Sequence, residues 1–471
     1  MQQLSGLDAA FLYLETENAP MHVGGVSILS SETSDGPLTL ERLKGMLSGR
    51  LHVSTTLTRK LVDVPLKLGR PYWIEDDAFD IDYHVQRTQL PEPGGWKELR
   101  ALVSWEMAQP LDRDRPLWQV LLVEGLESVE GFPPGSLGMI SKIHHAAIDG
   151  VSGADLMGAL YDPSPQPRPL PEPPPREPRK QPSPLELLTN TGRHLLDQPK
   201  ALGGTLGDTL RGVVRGGTAF ARGQFERPKL PFTAPRTPFN HAITPDRSWS
   251  CAFLPLDAIR RVRKTADATV NDVVLTVCAG ALRSYLESRD GLPEEPLVAM
   301  VPISVRTEEQ KGTMGNQVSA MLVTLATEID DPAERLRRVR QTAADAKAYT
   351  NALGARTLMD YSQFVPFAAA GLGTRLYTRF SLAERVAPIF NLVITNVPGP
   401  QIPLYVAGSR LLAHAGMAPI FDGMGLILPV FSYDGTLAIS AVSSPALMPD
   451  IDALTDRLPG CLDDLLKAVG A

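Results

Sequence analysis

The sequence predicts an α/β protein built as two two-layer domains of similar size. Three observations predict it. Short apolar, β-branched runs bounded by Gly or Pro alternate with stretches of helical periodicity in both halves of the chain. A proline-dense segment at 162–184, with 11 prolines in 23 residues, separates those halves. And 471 residues are enough for more than one hydrophobic core.

The elements follow in chain order. "WKELRALVSWEMAQPL" (96–111) places Leu99, Leu102, Val103 and Met107 at helical spacing. "PLWQVLLVEGL" (116–126) and "GSLGMISKI" (135–143) read as strands. The segment "DPSPQPRPLPEPPPREPRKQPSP" (162–184) excludes regular helix and sheet and favours an extended, semi-rigid spacer. "ATVNDVVLTVCAGALRSYLESRDG" reads as one helix, with Thr269 as N-cap and Asp272 as the acid of a capping box. "LILPVFSYDGTLAISAVS" (426–443) reads as a hairpin turning at Tyr433-Asp434-Gly435. The expected division is 1–161, a linker and connecting helical segment at 162–245, and 246–471.

Composition removes several function classes. A net charge of −7 argues against a nucleic-acid binder, which needs clustered excess Lys and Arg. Cys251, Cys278 and Cys461 are far apart and form no CxxC, which fits a reducing compartment without structural zinc. The opening residues lack a basic stretch followed by an apolar core, and no apolar run approaches the ~20 residues of a spanning helix. The expectation is a cytoplasmic protein that touches membranes only peripherally, at the inner membrane or at lipid inclusions.

The stretch "KIHHAAIDG" (142–150) is the candidate for chemistry. A zinc pair on a helix wants two histidines four residues apart, whereas His144 and His145 are adjacent and on a strand would point to opposite faces. No metal is expected there. "GVSGA" (150–154) is not a nucleophile elbow. A single general base remains: one histidine enters the interior, the other faces a cleft, and Asp149 and Gly150 suit the turn that follows. The competing reading is a pair of ordinary packed or surface histidines.

"HHAAIDG" matches every fixed position of HHxxxDG and resembles the signature of the coenzyme A-dependent acyltransferase fold, shared by chloramphenicol acetyltransferase and condensation domains. "LSGLDAAFLYLETENAPMHVGG" (4–25), "RPLW" (115–118), "NDVVLTVCAGALRSYL" (271–286), "VPISVRTEEQKGTMGNQVS" (301–319) and "NLVITNVPGP" (391–400) resemble one branch, the bacterial wax ester synthase/diacylglycerol acyltransferases. The resemblance implies two chloramphenicol-acetyltransferase-like domains with an active-site tunnel between them. It implies His145 as catalytic base, His144 as its support, Asp149 and Gly150 as structure of the loop, and Pro116-Leu117-Trp118 as packing beneath the site. Asn271 and Asp272 are implied to approach the reaction centre from the second domain. The residues themselves equally allow Asp272 as a helix cap and Asn271 as an ordinary first-turn residue.

The activity implied is transfer of a long-chain acyl group from acyl-CoA, a substrate, to a fatty alcohol or diacylglycerol, with no cofactor, metal or acyl-enzyme. The runners-up are a condensation-type or polyketide-linked acyltransferase of the same fold, and a non-catalytic lipid-binding protein. Small and apolar residues around Gly354 and "FVPFAAAGLG" (364–373) suit either an alkyl channel or ordinary helix packing. Residues 190–230 carry seven basic and three acidic side chains, 7 − 3 = +4, beside an apolar stripe of Leu202, Leu206, Leu210, Val213 and Val214. That pattern suits either a helix lying in an anionic membrane or lipid-droplet surface, or a connecting helix packed on its own domains.

Overall fold

A computed structural model describes residues 2–33, 36–148, 160–168, 182–191, 233–304, 318–353 and 382–471. Among them the elements that position the site are α1 (Gly6–Leu14), β1 (His22–Leu29), β2 (Val85–Gln89), α2 (Trp96–Ala108), β3 (Trp118–Leu126) and β4 (Ser136–His144). The second half adds β5 (Ser248–Pro255), α3 (Leu256–Thr265), α4 (Val270–Glu287), β6 (Val298–Ser304), β7 (Val318–Thr324) and α5 (Pro332–Leu353). It continues with β8 (Leu392–Pro398), β9 (Tyr405–Val406), β10 (Ser409–Met417), β11 (Leu426–Tyr433), β12 (Thr436–Ser443) and α6 (Leu458–Val469).

The strands form two six-stranded mixed sheets. The first runs β9-β10-β1-β4-β3-β2 and the second β5-β12-β11-β8-β6-β7. In the first, β10, β1, β4 and β3 pair antiparallel and β2 lies parallel to β3. In the second, β8 is parallel to both β6 and β11. Helices α3, α4, α5 and α6 cover one face of the second sheet, burying Ile259, Val262, Leu275, Leu282, Val339 and Leu462. A separate core joins the two sheets: Val26, Ile28 and Ile140 of the first cluster with Trp249, Ile427 and Val442 of the second. Alternation along each strand makes this arrangement work, because residues two apart share a face.

The sequence reading of the elements holds closely. α2, β3 and β4 fall within the stretches named for them. The α4 cap is observed as expected: the Thr269 hydroxyl accepts from the Asp272 amide at 3.1 Å, and the Asp272 carboxylate accepts from the Thr269 amide at 2.8 Å. The 426–443 hairpin turns on Asp434 at φ 40° and Gly435 at φ 82°, both in the left-handed region that a two-residue turn of this hand demands.

One feature departs from a simple division of the chain. β10 lies in the segment 246–471, yet it pairs antiparallel with β1 across Leu411–Met417 and so belongs to the first sheet. The second half thus lends a strand to the first. The apolar run of β10 carries no signal for such an exchange, since an edge of a sheet accepts any extended partner of matching register.

Candidate active site

The histidine pair sits where β4 ends. β1 and β4 pair with His22 opposite His144 and Gly24 opposite Lys142. The neighbouring strands need that glycine: a Cβ on Gly24 would lie 1.8 Å from the Ser141 carbonyl oxygen. β3 secures the other side, with Trp118 opposite Ile143, and the Leu117 carbonyl accepts from the His144 amide at 2.9 Å. Leu117 and Trp118 are buried, and the Trp118 indole donates to the Leu57 carbonyl at 3.0 Å. The "PLW" stretch therefore packs against the strand that carries the histidines.

His144 and His145 part company at the strand end. His144 is the last residue of β4, with a side chain only 2% exposed. Its Nδ1 accepts from the Ala146 amide at 3.0 Å, which caps the short 3₁₀ turn His145–Ala147. Its Nε2 faces Glu15 Oε2 at 3.5 Å. Glu15, at the C-terminal end of α1, also pairs with Arg113. Burial opposes the charge on Glu15, but the neighbouring His144 and Arg113 outweigh it and hold the carboxyl at about 2. His22 completes the cluster, edge-on to His144 with centroids 5.9 Å apart. Its Nε2 accepts from the Leu111 amide at 3.3 Å, and burial, reinforced by the charge of Lys142, pushes its pKa down to about 3.

His145 is half-buried and differently held. Its backbone amide donates to the Met21 carbonyl at 2.8 Å, and its ring stacks on Phe11 with centroids 3.7 Å apart and planes 13° apart. Nδ1 is shut in and bonds no other residue. Burial pushes the imidazole down to about 4, so the ring is neutral around pH 7. A flat aromatic clamp and a buried Nδ1 leave Nε2 as the nitrogen that an incoming group can meet. A neutral imidazole with an unspent acceptor is chemically a base.

The second domain presents its "ND" pair on the first turn of α4. Asp272 is buried and both functions of its cap are used by Thr269. Asn271 is half-buried, and its amide has no hydrogen-bond partner among the described residues. Among the described residues neither side chain hydrogen-bonds to the histidines. Asp149, Gly150 and Gly354 lie outside the described residues, as do most of 162–184 and all of 192–232, so the expectations for the turn, the alkyl channel and the basic segment fall there. Among the described residues no group of His, Cys, Asp and Glu is arranged to hold a metal. None of their helices is long and apolar enough to cross a membrane.

Sequence reasoning missed Glu15 and His22. Both lie in "LETENAPMHVGG", which drew notice only as a block. A Glu just past a helix and a His on an apolar strand carry no spacing signal, because their partners are about 90 to 130 residues away in sequence.

The two sheets share a core, and the histidine pair stands where a central strand of the first sheet ends. The model of the wax ester synthase/diacylglycerol acyltransferase catalytic domain matches residues 4–274, and that of the family's C-terminal domain matches 314–465. The chain belongs to the wax ester synthase/diacylglycerol acyltransferase family, and it is an acyltransferase.

Its relatives agree. A Mycobacterium tuberculosis protein named "Putative diacyglycerol O-acyltransferase" is 34% identical over 472 residues, covering 99% of this chain and 90% of its own. One of the same description from Mycobacterium bovis is 34% identical over 467 residues, 98% of each. The solved wax ester synthase/diacylglycerol acyltransferase of Marinobacter aquaeolei VT8 superposes with TM-score 0.70 at 28% identity, covering 100% of both chains. The starter condensation domain of rhizomide synthetase shares the fold, with TM-score 0.55 at 13% identity over 100% of this chain and 95% of its own.

Proposed function

We propose that the protein moves a long-chain acyl group from acyl-CoA to the hydroxyl of a lipid alcohol, a fatty alcohol or diacylglycerol, with His145 as general base. The observation that carries this reading is the contrast within the pair: Nδ1 of His144 is spent on the Ala146 amide and caps the turn, while the ring of His145 is neutral, stacked on Phe11 and hydrogen-bonded to no other residue through Nδ1. The names of the relatives at 34% identity favour diacylglycerol as an acceptor, and that of the Marinobacter protein includes wax ester synthesis.

The chemistry balances without a metal or covalent enzyme intermediate. Nε2 of His145 takes the hydroxyl proton as the alcohol oxygen attacks the thioester carbonyl. The tetrahedral oxyanion collapses, the C–S bond breaks, and the imidazolium returns the proton to the thiolate as CoA leaves. Proton transfer of this kind contributes about 10²–10⁴-fold, and the rest comes from positioning and oxyanion stabilisation in a dry site. The free amide of Asn271 suits a donor to the thioester oxygen, and the turn carboxylate of Asp149 suits a structural role. A tunnel between the domains would admit each substrate to the base from its own side, with Gly354 along the alkyl path. The segment 190–230 would bring the enzyme to an anionic membrane or lipid-inclusion surface.

The test is CoA release from palmitoyl-CoA with hexadecanol, with diacylglycerol, and with neither. Acceptor-dependent release that His145→Ala abolishes supports the reading; acceptor-independent hydrolysis, or none, overturns it.

A further inference from the structure

We propose that Glu15 is a positioning residue for the reaction: it holds His144 in one tautomer, and through the Ala146 amide His144 sets the turn that carries His145. The inference rests on the reading of His145 as base. The links are all in place. The Ala146 amide donates to Nδ1 of His144 at 3.0 Å, so Nδ1 carries no proton. The proton of neutral His144 is then on Nε2, which points at Glu15 Oε2 at 3.5 Å. That distance is long for a hydrogen bond, but it is a charge–dipole contact between side chains only 2% and 12% exposed, where water screens little.

Among the described residues the surroundings supply no rival acceptor. His22 meets His144 edge-on, with its own Nε2 taken by Leu111. Lys142, which shares this face of β4, is spent on the Glu106 and Gln109 carbonyls and the Glu106 carboxylate. Arg113, a donor and not an acceptor, pairs with the same Oε2 of Glu15 that His144 faces and fixes the carboxylate in place. Should the His144 tautomer flip, a proton on Nδ1 would face the Ala146 N–H, and the 3₁₀ turn would lose its cap. His145, the first residue of that turn, would lose its placement against Phe11. Displacements of this kind cost transfer rate without changing how substrate binds.

The experiment uses the full chain, labelled with ¹⁵N-histidine. The wild-type spectrum is expected to show His144 protonated at Nε2 and bare at Nδ1. Glu15→Gln, whose amide oxygen still accepts, keeps that pattern and most of kcat. Glu15→Leu loses it, and kcat falls about ten-fold or more with KM for acyl-CoA unchanged. Wild-type kcat in Glu15→Leu, or a lost kcat with the His144 signals unmoved, overturns the proposal. Should Glu15→Leu not fold, Glu15→Asp decides. It keeps the charge but shortens the reach by a methylene, so its kcat falls below that of Glu15→Gln. The reverse order would assign Glu15 to its ion pair with Arg113 alone. The spectra test the Glu15–His144 link without any turnover, so failure of this proposal is distinct from failure of His145 as base.

Discussion

The two halves each bring a two-residue motif to the end of a secondary-structure element, and the motifs spend their bonding capacity in opposite ways. At the end of β4, His144 caps the following turn by accepting from the Ala146 amide and faces Glu15 at 3.5 Å, while His145 caps nothing and stacks on Phe11. At the start of α4, Asp272 is consumed by Thr269, while the Asn271 amide has no partner among the described residues. In each pair one side chain caps a turn and its neighbour does not. The difference lies in cost. A half-buried amide can turn to solvent, but His145 is stacked on Phe11 with Nδ1 buried, and burial, reinforced by the neighbouring His144, has moved its pKa to about 4. Leaving a buried polar atom unpaired costs about 1–3 kcal/mol, and Nδ1 of His22 and Nε2 of His144 share that condition with Nδ1 of His145.

The largest expected effect breaks the pairing on the histidine side. His145→Ala should lower acyl transfer by at least ~10²-fold, with the thermal midpoint nearly unchanged, since the ring makes no hydrogen bond that holds the fold. Asn271→Ala should follow, lowering kcat by less and leaving the midpoint alone. An Asn271→Ala enzyme of wild-type kcat would make the free amide a bystander and confine the chemistry to the first half.

Acidification sharpens the contrast in a second way. His145 is held at about 4, so kcat/KM should stay flat well below pH 6.5 and fall only as pH approaches 4, where the base becomes protonated. Stability carries the same sign. Burial holds His22 at about 3 and His145 and His414 at about 4, against 6.5 in the unfolded chain. All three are depressed, so the unfolded state takes up protons that the native state refuses. Stability is therefore full above pH 6.5 and is lost as pH falls from 6.5 through 4, by up to about 1.4 kcal/mol per pH unit for each ring. Urea midpoints at pH 7.5 and 5.0 measure it. Equal midpoints would mean that these rings are already protonated in the native protein.

Much of this was legible in the sequence because it depends on local signals. The α4 cap is a four-residue pattern, the 433–435 turn needs two left-handed positions, and β3 and β4 read from apolar runs between Gly and Pro. HHAAIDG marked the candidate site by resemblance, and the spacing of its histidines argued against a zinc pair on a helix. What stayed hidden depends on the fold. The loan of β10 to the first sheet is a pairing of Leu411–Met417 with Gly24–Leu29, nearly 400 residues apart. Glu15 and His22 acquire meaning only when α1 and β1 meet β4. A free Asn271 and a spent Asp272 look alike in sequence, because the capping-box pattern names the acid but says nothing of its neighbour.

The smallest expected effect tests the scaffold side of the comparison. Asp272→Ala removes the carboxylate that accepts from the Thr269 amide at 2.8 Å, leaving that donor to water at the exposed Thr269. The Thr269 hydroxyl still accepts from the residue 272 amide, so half of the box survives. Loss of a cap interaction costs about 0.5–2 kcal/mol, and the surviving half places this one near the lower end. The rest of α4 is deeply buried, with Val273, Val274, Leu275, Val277 and Cys278 each 1% exposed or less, so the helix cannot unwind to follow its first turn. The expected outcome is a modest drop in urea midpoint and a kcat per folded molecule within about two-fold of wild type. Asp272→Asn, which keeps an accepting oxygen, should recover most of the midpoint. A large loss of kcat in Asp272→Ala at unchanged stability would reverse the assignment within the pair, making the acid the chemical partner and the amide its support.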